Sequence, residues 1–318
     1  MKVCSAFFEE GEHNLKKEND ILETTLSIAE NGYSEAYHFL LDAYEKNTEN
    51  YGPQTLYFLA CLAGGANMPE KSVNWLRKSI TDNGWWYRPE VLEDDDFELL
   101  KDNSEFLLLK SISDARYADA VRKSKSLFSW KTKTADNLFL AVHGNTQNGQ
   151  IARNDWKPII EENENWQFET IQSGEPDGYG SYRWSYDMDS YLPVANAIEK
   201  LQGEGYQKIV CGGFSSGCDM LLRTITFTSV RCDLLILQSP WLPFLEDHAA
   251  ELVYAIQQKN IALRIACGSE DKDCLPLAKQ LYMLMKQEKL DVKFNIQENS
   301  RHQFPAESCS LKELLGQR

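Results

Sequence analysis

Gly213-Phe214-Ser215-Ser216-Gly217 is the segment of this chain best suited to chemistry. It follows the strand-like run Gln207-Lys208-Ile209-Val210-Cys211 and precedes the helix-like run Asp219-Met220-Leu221-Leu222-Arg223-Thr224-Ile225. A glycine-x-serine-x-glycine pattern between strand and helix makes a nucleophile elbow, a turn so tight that the serine is held in a strained backbone conformation. Side chains two positions to either side would collide, so glycine is needed there. That requirement separates two adjacent serines. Ser215 is flanked by Gly213 and Gly217, whereas Ser216 would be flanked by Phe214 and Cys218. Ser215 is the expected nucleophile.

A serine hydroxyl attacks at neutral pH only if a neighbouring base takes its proton, and histidine suits because its pKa lies near working pH. His302 stands in the polar stretch Glu298-Asn299-Ser300-Arg301-His302-Gln303-Phe304-Pro305, after the strand-like Val292-Lys293-Phe294-Asn295-Ile296. His13 and His38 fall in a helical half, His248 in mid-helix and His143 in a strand-end turn, so His302 is the expected base. An acid must orient the imidazole and stabilise its charged form. Asp271 follows Ile261-Ala262-Leu263-Arg264-Ile265-Ala266-Cys267 and Gly268, and its spacing favours it over Glu270 and Asp273, which stay open. Backbone donors must face the developing oxyanion. The N–H of Ser216 is one candidate. The N–H of Asn145, after the strand-like Leu138-Phe139-Leu140-Ala141-Val142 and His143-Gly144, is the other. The chain order Ser, Asp, His, each just beyond a strand, is that of the α/β-hydrolase fold.

These groups need a sheet to carry them. From about Lys125 the pattern alternates strand and helix, which predicts a mostly parallel sheet flanked by helices. Strands are expected at 137–142, 166–171, 207–211, 232–238, 261–267 and 291–296, with a short one near Leu127-Phe128-Ser129-Trp130. Helices are expected at 150–163, 188–202, 217–227, 243–258, 275–289 and 306–316.

Before about Ser124 the pattern is helical. Leu56, Leu59, Ala60 and Ala63 share one face, and Val73, Leu76 and Ile80 begin another, with Pro69 in a first-turn position. The expected organisation is a small all-α helical-hairpin domain over 1–124 and an α/β catalytic domain over 125–318. Glu93-Asp94-Asp95-Asp96 is expected to be a solvated loop, because consecutive acids rarely converge on one ion.

Composition narrows the partners. A formal net charge of −15 argues against nucleic acid and disfavours an anionic membrane surface. No run approaches the roughly 20 apolar residues of a membrane helix, and the first ten residues turn acidic too early for a signal peptide. The eight cysteines contain no C-x-x-C pair, so zinc and redox motifs are unsupported, and the thiols are expected to be reduced and buried. The expected compartment is the cytoplasm.

Residues 135–305 resemble the phospholipase/carboxylesterase and dienelactone-hydrolase group of α/β-hydrolases. The resemblance rests on His143-Gly144-Asn145-Thr146-Gln147-Asn148, on Gly180-Ser181-Tyr182-Arg183-Trp184, on Gly212-Gly213-Phe214-Ser215-Ser216-Gly217 and on His302. It implies hydrolysis of carboxylic esters or thioesters by a serine mechanism without a cofactor. Ser216 stands where such proteins often have glutamine, and Asp271-Lys272-Asp273-Cys274-Leu275-Pro276 lacks their usual proline-valine-valine-proline sequence. Trp184, Tyr182 and Trp241 are candidates to line an acyl or leaving-group pocket, with ordinary packing as the alternative. The segment from Tyr57 to Leu76 resembles a tetratricopeptide-type helix pair, which implies either a docking site for a protein partner or a structural extension. A small-molecule ester or acyl substrate is the expected ligand. A serine peptidase gated by the helical part and a catalytically silent scaffold are the competing functions.

Overall fold

Continuous apolar runs become the inner strands of one sheet. The computed structural model describes residues 18–304 apart from 19, 129–131 and 161–164. The expected helix at 306–316, His13, Cys4, Cys309, the last residues of the 150–163 helix and the pair Ser129-Trp130 lie outside the described residues.

Two units are present. The first comprises Met1–Ser124 with Pro176–Tyr179. Its helices are α1 (20–29), α2 (Tyr33–Lys46), α3 (Pro53–Gly65), α4 (Pro69–Arg77) and α5 (Ser104–Lys123). Proline in the first turn starts α3 and α4, where its missing N–H costs no bond. Asn103 caps α5 by accepting from the N–H groups of Glu105 and Phe106. Leu40, Leu56 and Leu59 are buried in one cluster, and Leu76, Ile80, Phe97 and Leu100 in a second. The residues that resemble a tetratricopeptide pair fall on α3 and α4, which pack together. The acidic run is not a plain loop: Asp94 accepts from the Asp96 N–H and opens a 3-10 turn that buries Phe97.

The second unit comprises Lys125–Glu175 and Gly180–Arg318. Its strands are β1 (Leu127–Phe128), β2 (Asn137–Val142), β3 (Trp166–Gln172), β6 (Lys208–Phe214), β7 (Leu234–Gln238), β8 (Ala262–Gly268) and β9 (Val292–Gln297). They form a sheet of order β1-β3-β2-β6-β7-β8-β9, parallel except for β1 against β3. Helices α6 (Gly149–Ile160), α7 (Leu192–Gln202), α8 (Ser216–Phe227), α9 (Leu245–Lys259) and α10 (Cys274–Gln287) connect them. β2, β6 and β7 are buried almost throughout, as strands covered on both faces must be. β9 alternates partly buried with exposed residues, the pattern of an edge strand.

Three local differences from the sequence expectation have physical causes. β6 runs on to Phe214 rather than ending at Cys211, because Gly212 and Gly213 pair as strand residues opposite Ile236 and Leu237. A Cβ on Gly212 would lie 2.7 Å from the Phe139 ring and 2.8 Å from the Trp156 ring, so glycine there serves packing rather than a turn. α7 starts at Leu192 rather than 188, with Pro193 setting its first turn. Two short strands, β4 (Glu175–Gly178) and β5 (Ser181–Arg183), stand outside the main sheet where no strand was expected; glycine, proline and acids masked them.

From β2 the chain moves to one side to form β3, then returns to form β6 on the other side of β2. The carboxyl ends of β2 and β6 therefore flank a topological switch point, where crevices form in open parallel sheets.

Candidate active site

The elbow has the strain its glycines suggest. Ser215 has φ 51° and ψ −123°, a conformation that costs a non-glycine residue of order 1–3 kcal/mol. Its N–H donates to the Gln238 carbonyl at 3.0 Å, and its carbonyl accepts from the N–H groups of Cys218 and Trp241. These bonds to β7, to the chain beyond it and to the first turn of α8 hold the strain in place. A Cβ on Gly217 would meet the His143 and Val142 carbonyls at 2.5 and 2.6 Å, and one on Gly213 the Cys218 nitrogen at 2.9 Å.

Ser215, His302 and Asp271 meet at the carboxyl edge of the sheet. Ser215 Oγ lies 3.0 Å from His302 Nε2, and His302 Nδ1 lies 2.8 Å from Asp271 Oδ2. A carboxylate only accepts, so Nδ1 carries the imidazole proton and Nε2 is left to accept from the serine hydroxyl. The Asp271 side chain is almost fully buried and that of His302 about one-third exposed. Asp271 Oδ1 accepts from the Cys274 N–H at 3.0 Å, and the Cys267 thiol lies 3.7 Å from Oδ2. Burial pushes the Asp271 pKa upward, but the hydrogen bond and charge of His302 outweigh it together with the Cys274 N–H, and the net shift is downward. Asp273 is not bonded to His302; it lines the adjoining cavity.

Asn145 and Ser216 adjoin the serine. The Asn145 side-chain oxygen accepts from the Trp184 N–H and from the Ser216 hydroxyl, each at 2.8 Å, while Ser216 opens α8 directly after the nucleophile. Beneath them His143 is fully buried. Its Nδ1 donates to the Gly144 carbonyl at 2.6 Å and its Nε2 accepts from the Ser173 N–H at 3.0 Å. Burial lowers its pKa to about 4, so it stays neutral and shapes the loop.

A cavity of about 250 Å³ opens over the serine, lined by Asn145, Tyr186, Ser215, Trp241, Asp273, Cys274 and His302. Trp241, one of the three aromatic candidates from the sequence, is among the lining residues. Trp184 and Tyr182 are not. Trp184 is buried, its indole N–H donates to the His143 carbonyl at 2.8 Å, and its ring packs on the His143 ring, so it braces the loop from below. Tyr182 is held by its backbone N–H on the Gln147 carbonyl. Tyr186 and Cys274 were missed. Each sits close to a residue the sequence did single out, yet neither belongs to a motif.

Residues 17–121 match the family model described as A/B hydrolase-like, N-terminal domain. No curated protein matches the chain. An uncharacterized protein from Bacillus cereus ATCC 10987 is 25% identical in its solved structure, covering 93% of this chain and 96% of that one, with a TM-score of 0.52. This is an α/β-hydrolase-fold protein. Its solved structural neighbours also include esterase PE8, at 15% identity over 57% of this chain and 92% of that one with a TM-score of 0.48. Another is Zea mays acyl-protein thioesterase 2, at 18% identity over 61% and 96% with a TM-score of 0.44. No helix among the described residues of the α/β-hydrolase-fold protein is long and apolar enough to cross a membrane.

Proposed function

We propose that this protein is a serine hydrolase that cleaves carboxylic esters or thioesters through an acyl-enzyme on Ser215. The observation that carries the reading is the continuous chain of hydrogen-bonding distances from Ser215 Oγ through His302 to Asp271, starting from a strained elbow at the rim of a cavity. In acylation, His302 Nε2 takes the hydroxyl proton as Oγ bonds to the acyl carbon. His302 then returns that proton to the departing alkoxide or thiolate. In deacylation the same nitrogen takes a proton from water, and the resulting carboxylic acid leaves as Oγ is reprotonated. Asp271 holds the imidazole in the tautomer this requires. The backbone N–H groups of Ser216 and Asn145 are assigned to the oxyanion.

The cavity favours a small or moderate acyl group, with Tyr186 and Trp241 as its aromatic walls. A reducing compartment such as the cytoplasm suits the six described free cysteines, all buried.

The test is labelling of the intact protein by a fluorophosphonate, followed by turnover of nitrophenyl esters, acyl thioesters and peptide amides. Labelling that vanishes in Ser215→Ala, with turnover of esters or thioesters, is expected. An unlabelled wild type would mark the chain as a scaffold, and turnover of amides alone would mark it as a peptidase.

A further inference from the structure

His302, Asp271 and Cys274 form a cluster that the proposed hydrolysis uses only in part. Their ligand atoms, Nδ1, a carboxylate oxygen and Sγ, all lie within 4.8 Å of one another. Cys274 Sγ is 3.4 Å from His302 Nδ1, and Nδ1 is 2.8 Å from Asp271 Oδ2. The catalytic assignment gives the thiol no task, although it lines the cavity beside the histidine.

Imidazole, carboxylate and thiolate together are the donor set of a borderline-soft, tetrahedral cation. Zinc binds them at about 2.0–2.3 Å, so tetrahedral placement sets the donors about 3.3–3.6 Å apart. The sulfur–nitrogen separation already has that value. The nitrogen–oxygen pair would open by about half an ångström, within reach of a side chain on the loop after β9. Cys274 and His302 line the cavity, which is the route by which an ion would reach the cluster, and Asp271 lies buried behind them. Magnesium and calcium are disfavoured, since they need six or more oxygens.

We propose that Asp271, Cys274 and His302 form a zinc-binding site that switches the Ser215 centre off. The metal takes the Nδ1 lone pair, the proton formerly on Nδ1 is carried on Nε2, and the thiol proton goes to solvent. The imidazole remains neutral, but Nε2 now donates towards Ser215 instead of accepting from it. The serine loses its base, and Asp271 no longer orients the ring by hydrogen bonding. Binding itself is independent of any activity; the switching rests on the serine-hydrolase reading.

The experiment titrates the intact, metal-free protein with Zn2+ by calorimetry and with Co2+ by visible absorption, using Mg2+ as a control. One site per chain, a thiolate-to-cobalt charge-transfer band and no response to Mg2+ are expected. Cys274→Ser should lose the band and bind Zn2+ at least tenfold more weakly. If that variant does not fold, displacement of the wild-type thiolate-to-cobalt band by Zn2+ decides the same point. Fluorophosphonate labelling of Ser215 should slow at least tenfold in Zn2+ and recover on adding a chelator. No binding, or equal binding by Cys274→Ser, overturns the site. Binding with labelling unchanged overturns the switch. A wild type that is never labelled but shows the cobalt band overturns the hydrolase reading and leaves the site standing.

Discussion

The Ser216 hydroxyl donates to the Asn145 side-chain oxygen across 2.8 Å. That bond ties the loop after β2 to the first turn of α8, the two backbone segments assigned to the oxyanion. The same oxygen accepts from the Trp184 N–H, so the Asn145 side chain is a brace between three segments. From sequence alone its side chain looks expendable, because a backbone donor survives its removal. The geometry argues otherwise. Asn145→Ala should lower kcat by about tenfold or more, short of the ~2.7–4 kcal/mol lost with a whole donor. Ester KM should change little. A kcat equal to that of the wild type would remove the brace from the mechanism.

Asp271 and Asp273 make opposite predictions. Only Asp271 is bonded to His302, and it is the buried one of the two. Asp271→Asn keeps the shape but favours the wrong imidazole tautomer, and should cost on the order of 10⁴-fold in kcat. Asp273→Asn removes a charge from the cavity wall and should act mainly on KM. Steady-state ester kinetics of both variants check this. A larger kcat loss at 273 than at 271 reverses the assignment of the acid.

The elbow was readable in the sequence because its constraint is local: two glycines at fixed offsets from one serine. The sheet was readable for a related reason, since strands buried on both faces need unbroken apolar runs. What stayed hidden depends on partners far along the chain. Nothing near Trp184 shows that its indole reaches the His143 carbonyl, 41 residues away, so the sequence left pocket wall and packing both open. Tyr186 reaches the cavity through a loop path with no periodicity, and Cys274 from the first position of α10. Spacing favoured Asp271 over Asp273, but the contact that distinguishes them lies in the turn that starts α10, where the Cys274 N–H points at Asp271.

His143 links the site to stability. Its pKa falls from the ordinary 6.5 to about 4 because burial disfavours its charged form. Between those values the unfolded chain binds the proton and the folded chain does not, so unfolding is favoured as the medium acidifies. The contribution is intact above pH 6.5 and is lost progressively as pH falls towards 4, to a total of about 3 kcal/mol. Urea unfolding of the wild type at pH 7 and pH 4.5 should show this loss. His143→Gln, which cannot titrate, should be less stable at pH 7 but show a shallower pH slope. Equal slopes in the two proteins would falsify the linkage.

Gly268 closes β8 against the segment that carries the base. A Cβ there would lie 2.2 Å from the Ser300 carbonyl oxygen and 2.5 Å from that of Arg301. Both are backbone atoms, so neither can swing aside as a side-chain tip would. The Glu270 N–H also donates to the Ser300 carbonyl at 2.9 Å, which fastens the acid loop to the base loop at the same point. Gly268→Ala must therefore push residues 300–301 outward and take His302 with them, while Asp271 stays on the β8 side. A shift of about 1 Å in a reacting group can cost on the order of 10²-fold, whereas overpacking costs typically about 1–3 kcal/mol of stability. The expected variant is folded, modestly destabilised in urea, and at least 100-fold slower both in ester turnover and in fluorophosphonate labelling of Ser215. Labelling would slow in parallel because it needs the same base. A variant that unfolds more easily yet labels at the wild-type rate would show that the two loops can move together without separating His302 from Ser215.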